Sequence, residues 1–169
     1  MNHYIALLRA VNVGGTGKLP MADLRAMCES AGFQDVRTYI ASGNVVLRSA
    51  SSAAQVKTAL ESALLRYAGK PVGVLVRTAA EMAAILSANP FPQAAPNRLV
   101  VVFLDHAPAA DTLATLSHVN GEEVALGARE LYVHYGDGMA DSKLKIPAAR
   151  TGTGRNLNTV AKLAKMVLE

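Results

Sequence analysis

The stretch VRTYIASGNVVLRS, residues 36–49, contains two runs of apolar and β-branched residues that meet at Ser42 and Gly43. Such runs are typical of strands, here at about 36–41 and 44–49. Gly43 and Asn44 suit a turn with positive φ, so the short connection predicts a β-hairpin. Parallel strands would need a crossover of a dozen or more residues. The stretch therefore favours an α+β fold with mostly antiparallel sheets over the alternative, a doubly wound parallel sheet.

The segments on either side of the hairpin complete a β-α-β-β-α-β order. Strands are predicted at about 3–10 and 72–77. Apolar residues at helical spacing predict a first helix that begins near Pro20 and ends at Gly32, and a second helix over 52–68. This is the order of the ferredoxin-like, split βαβ arrangement.

The second half of the chain is predicted to form a variant of the same arrangement. It is predicted to contain strands at 98–104, 122–126 and 130–135, and helices at 79–88, 109–118 and 157–168, with a short helical piece before residue 151. The segment 89–97 holds three prolines and is the predicted hinge. We expect two ferredoxin-like halves packed together, residues 1–78 and 79–169.

Composition restricts the class of protein. Of the 169 residues, 51% are hydrophobic and 18% are charged, which excludes a disordered chain. The single cysteine, Cys28, is expected to be a buried thiol. The chain shows neither a cationic leader nor an apolar run of about 20 residues, so we expect a cytoplasmic protein without a membrane partner. The net charge of +4 permits an anionic partner without requiring one, and the oligomeric state is left open.

Three polar segments that contain glycine interrupt the apolar elements: RAVNVGGTGK (9–18), TYIASGN (38–44) and TGTGRN (151–156). The first segment departs from a phosphate-binding P-loop, because Asn12 occupies the first glycine position and Leu19 the hydroxyl position. Its glycines still allow main-chain N–H groups to approach an anion. The third segment combines residues suited to capping a helix with a high density of cations.

Motifs for catalysis, metals or cofactors are absent from the sequence. Histidines 3, 106, 118 and 134 lack the spacing of a metal site, and no nucleophile motif or dinucleotide fingerprint is present. We therefore predict no metal and no cofactor, and the catalytic residues, if the protein is an enzyme, stay unknown.

Read together, LLRAVNVGG, MADLRAMCESAGFQDVRTYIASGN and GTGRNLNTVAKL closely resemble the uncharacterised bacterial family catalogued as domain of unknown function 1697. The resemblance extends from end to end and implies a fold of paired ferredoxin-like units. It implies no activity, substrate or cofactor. This chain departs from the family's typical sequence at Ala10, Ala41 and Leu157, where the family tends to have Gly, Gln and Trp.

The positions that carry the resemblance are loop and turn residues rather than core residues, which makes them candidates for a binding site. Our hypothesis is that the three segments form one polar pocket for a phosphate or carboxylate. Arginine side chains would supply charge-assisted bonds to a phosphorylated metabolite or nucleotide. Three alternatives stay open: binding of RNA or single-stranded nucleic acid, an enzyme with an unrecognised acid–base group, and a scaffold. The predicted ligand-binding residues are Arg9, Asn12, Gly14, Gly15, Lys18, Ser42, Gly43, Asn44, Arg155 and Asn156.

Overall fold

The computed structural model describes residues 1–10 and 18–169, and they form two compact units. The first unit contains Met1–Ala83 and Leu163–Glu169, and the second contains Ala84–Lys162. Helices accompany two four-stranded antiparallel sheets, which confirms the predicted α+β class. The division into residues 1–78 and 79–169, and the ferredoxin-like description of each half, stay predictions.

The first unit has the predicted β-α-β-β-α-β order. Its strands lie in the order β2-β3-β1-β4, and every neighbouring pair is antiparallel. The predicted hairpin is present, with Thr38 opposite Val45. The elements are β1 (Asn2–Leu8), α1 (Met21–Ser30), β2 (Gln34–Thr38), β3 (Asn44–Ser49), α2 (Ala53–Ala68) and β4 (Val74–Thr78).

Alternation along the strands gives this sheet an apolar face that packs with α1 and α2. Tyr4, Ala6 and Leu8 of β1 lie in the same buried cluster as residues from both helices. Cys28 of α1 is fully buried there, as expected, and burial raises the pKa of its thiol to about 12, with a further contribution from Glu29. The cluster positions the strand ends that carry the predicted site.

Helix α2 has clear signals at both of its ends. The Ser52 hydroxyl accepts a bond from the Gln55 main-chain N–H, while the Gln55 side chain accepts from the N–H of Ser52. Gly69 closes the helix with a φ of 73°, a conformation that favours glycine. These local signals explain why the sequence pattern locates this helix well.

Helix α3 (Ala79–Ser87) leads into the second unit, whose strands are β5 (Leu99–Phe103), β6 (Glu123–Leu126), β7 (Glu130–His134) and β8 (Thr153–Asn156). They lie in the order β6-β7-β5-β8, which places them as β2, β3, β1 and β4 lie in the first sheet. One face carries Val102, Leu131 and Val133 in a buried cluster. Helix α4 (Leu157–Met166) follows β8 directly.

The helix predicted over 109–118 is wrong, because only a 3₁₀ turn at Thr112–Thr115 forms there. The hydroxyl of Thr112 donates to the carbonyl of Ala109, and that of Thr115 donates to the carbonyl of Thr112. Such side-chain bonds compete with the α-helical ladder. The short helical piece expected before residue 151 is present as a 3₁₀ helix at Pro147–Thr151.

The segment TGTGRN is mainly a strand rather than a loop that enters the last helix. It contains β8, which pairs with β5 so that Arg155 lies opposite Val101. The approach is close, because a Cβ on Gly152 would meet the main-chain oxygen of Phe103 and lie 2.8 Å from Leu104 Cδ2. Pairing between residues about 50 positions apart produced this strand, and local pattern did not indicate it.

Within the two described stretches, no helix has the length and apolar character needed to cross a bilayer.

Candidate functional site

The end of β1 is tied to two loops of the first unit. The N–H of Leu8 donates to the carbonyl of Gly43 at 2.9 Å, and the N–H of Arg9 donates to the carbonyl of Gly73 at 2.9 Å. The structure therefore brings Arg9 and the turn at residues 42–44 to the same end of the sheet. The order β3-β1-β4 explains this, because the loops before β3 and β4 flank the last residues of β1.

The side chain of Arg9 lies against the main chain of Gly73. A Cβ added at Gly73 would lie 2.9 Å from Arg9 Cδ and 3.6 Å from Arg9 Nη1. The half-buried guanidinium arm thus occupies space that any residue other than glycine would fill. This contact gives Gly73 a role that sequence analysis missed, and no local motif marks it.

The turn before β3 is built by its own polar side chains. Asn44 is fully buried, and its Nδ2 donates to the carbonyl of Tyr39 and to the hydroxyl of Ser42, each at 2.8 Å. Gly43 has a φ of 87°, as the turn prediction requires. Asn44 and Ser42 therefore shape the turn, and the amide nitrogen of Asn44 is engaged within it.

Two residues near this end of the sheet adopt a conformation that is unusual for their type. Ala10 has a φ of 50° and Ile40 has a φ of 52°, and neither is glycine. Positive φ is especially costly for a β-branched residue such as isoleucine. Held strain of this kind clusters at binding and catalytic sites. Ala10 directly follows Arg9 in the chain, and Ile40 belongs to the 38–44 segment, so both strained residues adjoin predicted site residues.

The other predicted residues of the first segment are Asn12, Gly14, Gly15 and Lys18. Asn12, Gly14 and Gly15 lie outside the described residues. Lys18 is exposed, and it precedes the buried Leu19 at the approach to α1. No group of three metal-ligating side chains occurs among residues 1–10 and 18–169.

Arg155 and Asn156 lie together in the second unit, at the end of β8. The guanidinium of Arg155 is buried and donates to Thr153 Oγ1 at 2.7 Å and to the carbonyl of Gly154 at 2.9 Å. Burial lowers its pKa to about 10. The Asn156 side chain accepts a 2.9 Å bond from the N–H of Thr159 and so caps α4, which is the capping chemistry that the sequence suggested. That the three segments meet in one pocket stays a prediction.

The nucleic-acid alternative would stack bases on exposed tyrosines, and the four candidates that the sequence offers are Tyr4, Tyr39, Tyr132 and Tyr135. Tyr4 and Tyr132 are each 2% exposed, and their hydroxyls donate to the carbonyls of Ser51 and Ile85. A base cannot stack on a ring that is already covered on both faces. The nucleic-acid alternative therefore loses two of its four candidate tyrosines.

A histidine that sequence analysis treated as scattered lies in a structured environment. His134 is opposite Glu123 across the β6–β7 pair, with Nδ1 3.3 Å from Glu123 Oε1. Its ring centroid is 5.8 Å from that of Phe91. The strands predicted at 122–126 and 130–135 were the available signal, because a short connection between two antiparallel strands sets the register that places 123 opposite 134.

These features define an α+β protein with two four-stranded antiparallel sheets, whose predicted site lies partly at one end of the first sheet. The chain belongs to the family described as Protein of unknown function (DUF1697), whose model matches residues 1–132. Arg155 and Asn156 lie beyond the matched range.

A solved structure supports the same fold. The chain is 25% identical to the conserved bacterial protein SP0830 from Streptococcus pneumoniae, with a TM-score of 0.81 and 98% of each chain covered. No curated protein sequence matches this chain.

Proposed function

We propose that this protein binds a small anion, a phosphorylated metabolite or nucleotide, at the end of β1, with Arg9 as the principal cation. The observation that supports the proposal is the placement of Arg9, whose main chain is bonded to Gly73 and whose side chain lies over that glycine. Lys18 and the turn at 42–44 belong to the proposed site.

A positioned arginine is well suited to this task. Its planar guanidinium presents several N–H donors that match two oxygens of a phosphate or carboxylate. Packing against Gly73 restricts the arm before a ligand arrives, so less conformational entropy is lost on binding. The strained main chain at Ala10 and Ile40 adds support, because strain is retained where the surrounding structure holds a site in shape.

The other predicted residues keep their proposed ligand-binding roles as separate hypotheses. Main-chain N–H groups of Gly14 and Gly15 would approach the anion, and Asn12 would orient it. Arg155 and Asn156 already make protein bonds in the second unit, so a ligand role for them requires a test of each residue by itself.

The test is a binding and thermal-shift panel of inorganic phosphate, nucleotides and sugar phosphates, applied to wild type and variants. A ligand at 100 times its dissociation constant should raise the free energy of unfolding by about 2.7 kcal/mol. Arg9→Ala should weaken binding about 10- to 150-fold, the loss expected for hydrogen bonds to a charged group. Arg9→Lys should recover part of the affinity, because lysine restores the positive charge but not the planar pair of N–H donors of a guanidinium.

The matched control is Arg25→Ala. Arg25 is an exposed arginine on α1 with an ion pair of 3.7 Å to Glu29, and it is not one of the residues of the proposed site. It changes net charge as Arg9→Ala does, so equal effects of the two variants would overturn the proposal. Binding of RNA with a steep salt dependence, without any response to metabolites, would instead favour the nucleic-acid alternative.

A further inference from the structure

A concave site lies wholly within the second unit, between the segment 90–95 and the ends of β5, β6 and β7. It encloses about 520 Å³, which is within the range of pockets for small molecules. Phe91, Arg98, Glu123, His134 and Asp137 line it. None of these residues belongs to the predicted anion site, so this pocket stands apart from the function proposed above.

The apolar wall of the pocket is shaped by tight local bonds. Asn89 Oδ1 accepts a 2.9 Å bond from the N–H of Phe91, and the carbonyl of Phe91 accepts one of 3.0 Å from the N–H of Ala94. The Phe91 ring lies beside His134 with 37° between the ring planes. Two aromatic surfaces flanked by prolines suit a flat ring that can stack on them.

The polar side of the pocket is rich in hydrogen-bond acceptors. Glu123 Oε1 lies 3.3 Å from His134 Nδ1, and a carboxylate can only accept a hydrogen bond. The exposed Asp137 adds two more oxygens. The single cation, Arg98, donates from Nη1 to the carbonyl of Gly136 at 2.9 Å and thereby holds the residue next to Asp137.

We infer that this pocket binds an uncharged, planar heteroaromatic ring that carries N–H donors on one edge, and that a guanine-type base is the class that fits. Guanine offers adjacent N–H groups to one carboxylate, whereas adenine would present a ring nitrogen acceptor to the same oxygens and be repelled. Two carboxylates disfavour a phosphate group, so the nucleoside should bind better than the nucleotide. A guanidinium ligand could also pair with the carboxylates, but it lacks the extended ring that would stack on Phe91 and His134, so it should bind more weakly.

The experiment measures dissociation constants of guanosine, adenosine, guanosine monophosphate and arginine amide for the full chain by calorimetry or ligand-observed NMR. Guanosine should bind, and adenosine and arginine amide should bind at least tenfold more weakly. Guanosine monophosphate is measured on Arg9→Ala, so that the proposed anion site does not contribute, and it should also bind at least tenfold more weakly than guanosine. Asp137→Asn should weaken guanosine binding at least tenfold, since it replaces an acceptor oxygen with a donor group. Phe91→Leu should weaken it as well, because the leucine keeps the apolar volume but removes the stacking surface.

The matched control is Asp141→Asn. Asp141 is an exposed aspartate on the same 3₁₀ helix as Asp137 (Gly136–Asp141), but it does not line the pocket. This variant should bind guanosine as wild type does, and its melting temperature reports the effect of the charge change alone. The inference is overturned if guanosine fails to bind, if adenosine or arginine amide binds equally well, or if Asp137→Asn and Asp141→Asn behave alike. Arg9→Ala should leave guanosine binding unchanged, which separates failure of this inference from failure of the proposed anion site.

Discussion

Gly73→Ala tests whether the placement of Arg9 matters for function separately from stability. The added methyl group would lie 2.9 Å from Arg9 Cδ. Carbon atoms in good contact are about 3.5–4.0 Å apart, so the arginine arm must move by roughly 0.6–1.1 Å. Gly73 does not have a positive φ, so alanine can adopt the same main-chain conformation.

The expected change in stability is small. Replacing glycine at a compatible position stabilises by about 0.4–1 kcal/mol through the unfolded state, while a displaced rotamer costs about 0.5–1.5 kcal/mol. These terms nearly cancel, so the melting temperature should change by no more than about 4 °C. The fold should survive the substitution.

The expected loss of anion binding is much larger. A charge-assisted bond of about 2.8 Å that is lengthened by about 1 Å no longer counts as a hydrogen bond. The loss of one such bond corresponds to about 1.5–3 kcal/mol, or roughly 10- to 150-fold in the dissociation constant. Calorimetry with the tightest ligand of the panel measures this change.

A double-mutant cycle shows whether the effect passes through Arg9. If it does, Gly73→Ala should have almost no effect on binding in the Arg9→Ala background. The reasoning is refuted if Gly73→Ala is folded and binds the anion as tightly as wild type. It is refuted equally if the two substitutions weaken binding additively.

Three further predictions concern stability and reactivity. Gly152→Ala should lower the free energy of unfolding by about 1–3 kcal/mol, because its Cβ would meet the main chain of β5. Gly138 faces open space, so the control Gly138→Ala should not lower it. The packing of β8 is contradicted if thermal unfolding shows Gly138→Ala to be the less stable variant. Cys28 should resist iodoacetamide until the protein unfolds, because burial raises its thiol pKa to about 12, and rapid labelling of the native protein would show that the site opens. Bonds from the Ser142 hydroxyl and a main-chain N–H lower the pKa of Glu122, so its carboxylate stabilises the fold at neutral pH and that contribution is lost as pH falls through its ordinary value and below. Urea unfolding from about pH 6 to pH 3 should therefore show a weaker dependence on pH for Glu122→Gln than for wild type, and identical curves would refute this assignment.

The sequence alone determined the α+β class, the hairpin at residues 36–49 and the element order of the first unit. Each of these depends on local periodicity, on turn residues such as Gly43, or on helix ends such as Ser52 and Gly69, and such signals act over a few neighbouring residues. The same local method failed over 109–118, where threonine hydroxyls bond the main chain and stop a helix after one turn.

Only the tertiary structure decided which polar residues meet and what each one bonds. Residues 151–156 contain a strand because β5 offers an unpaired edge, and the pairing then buries Arg155 beside Thr153. Arg9 lies over Gly73 because the sheet order sets the loop before β4 beside the end of β1. These contacts join residues far apart in the chain, and their free energy depends on burial and close packing that no local pattern encodes.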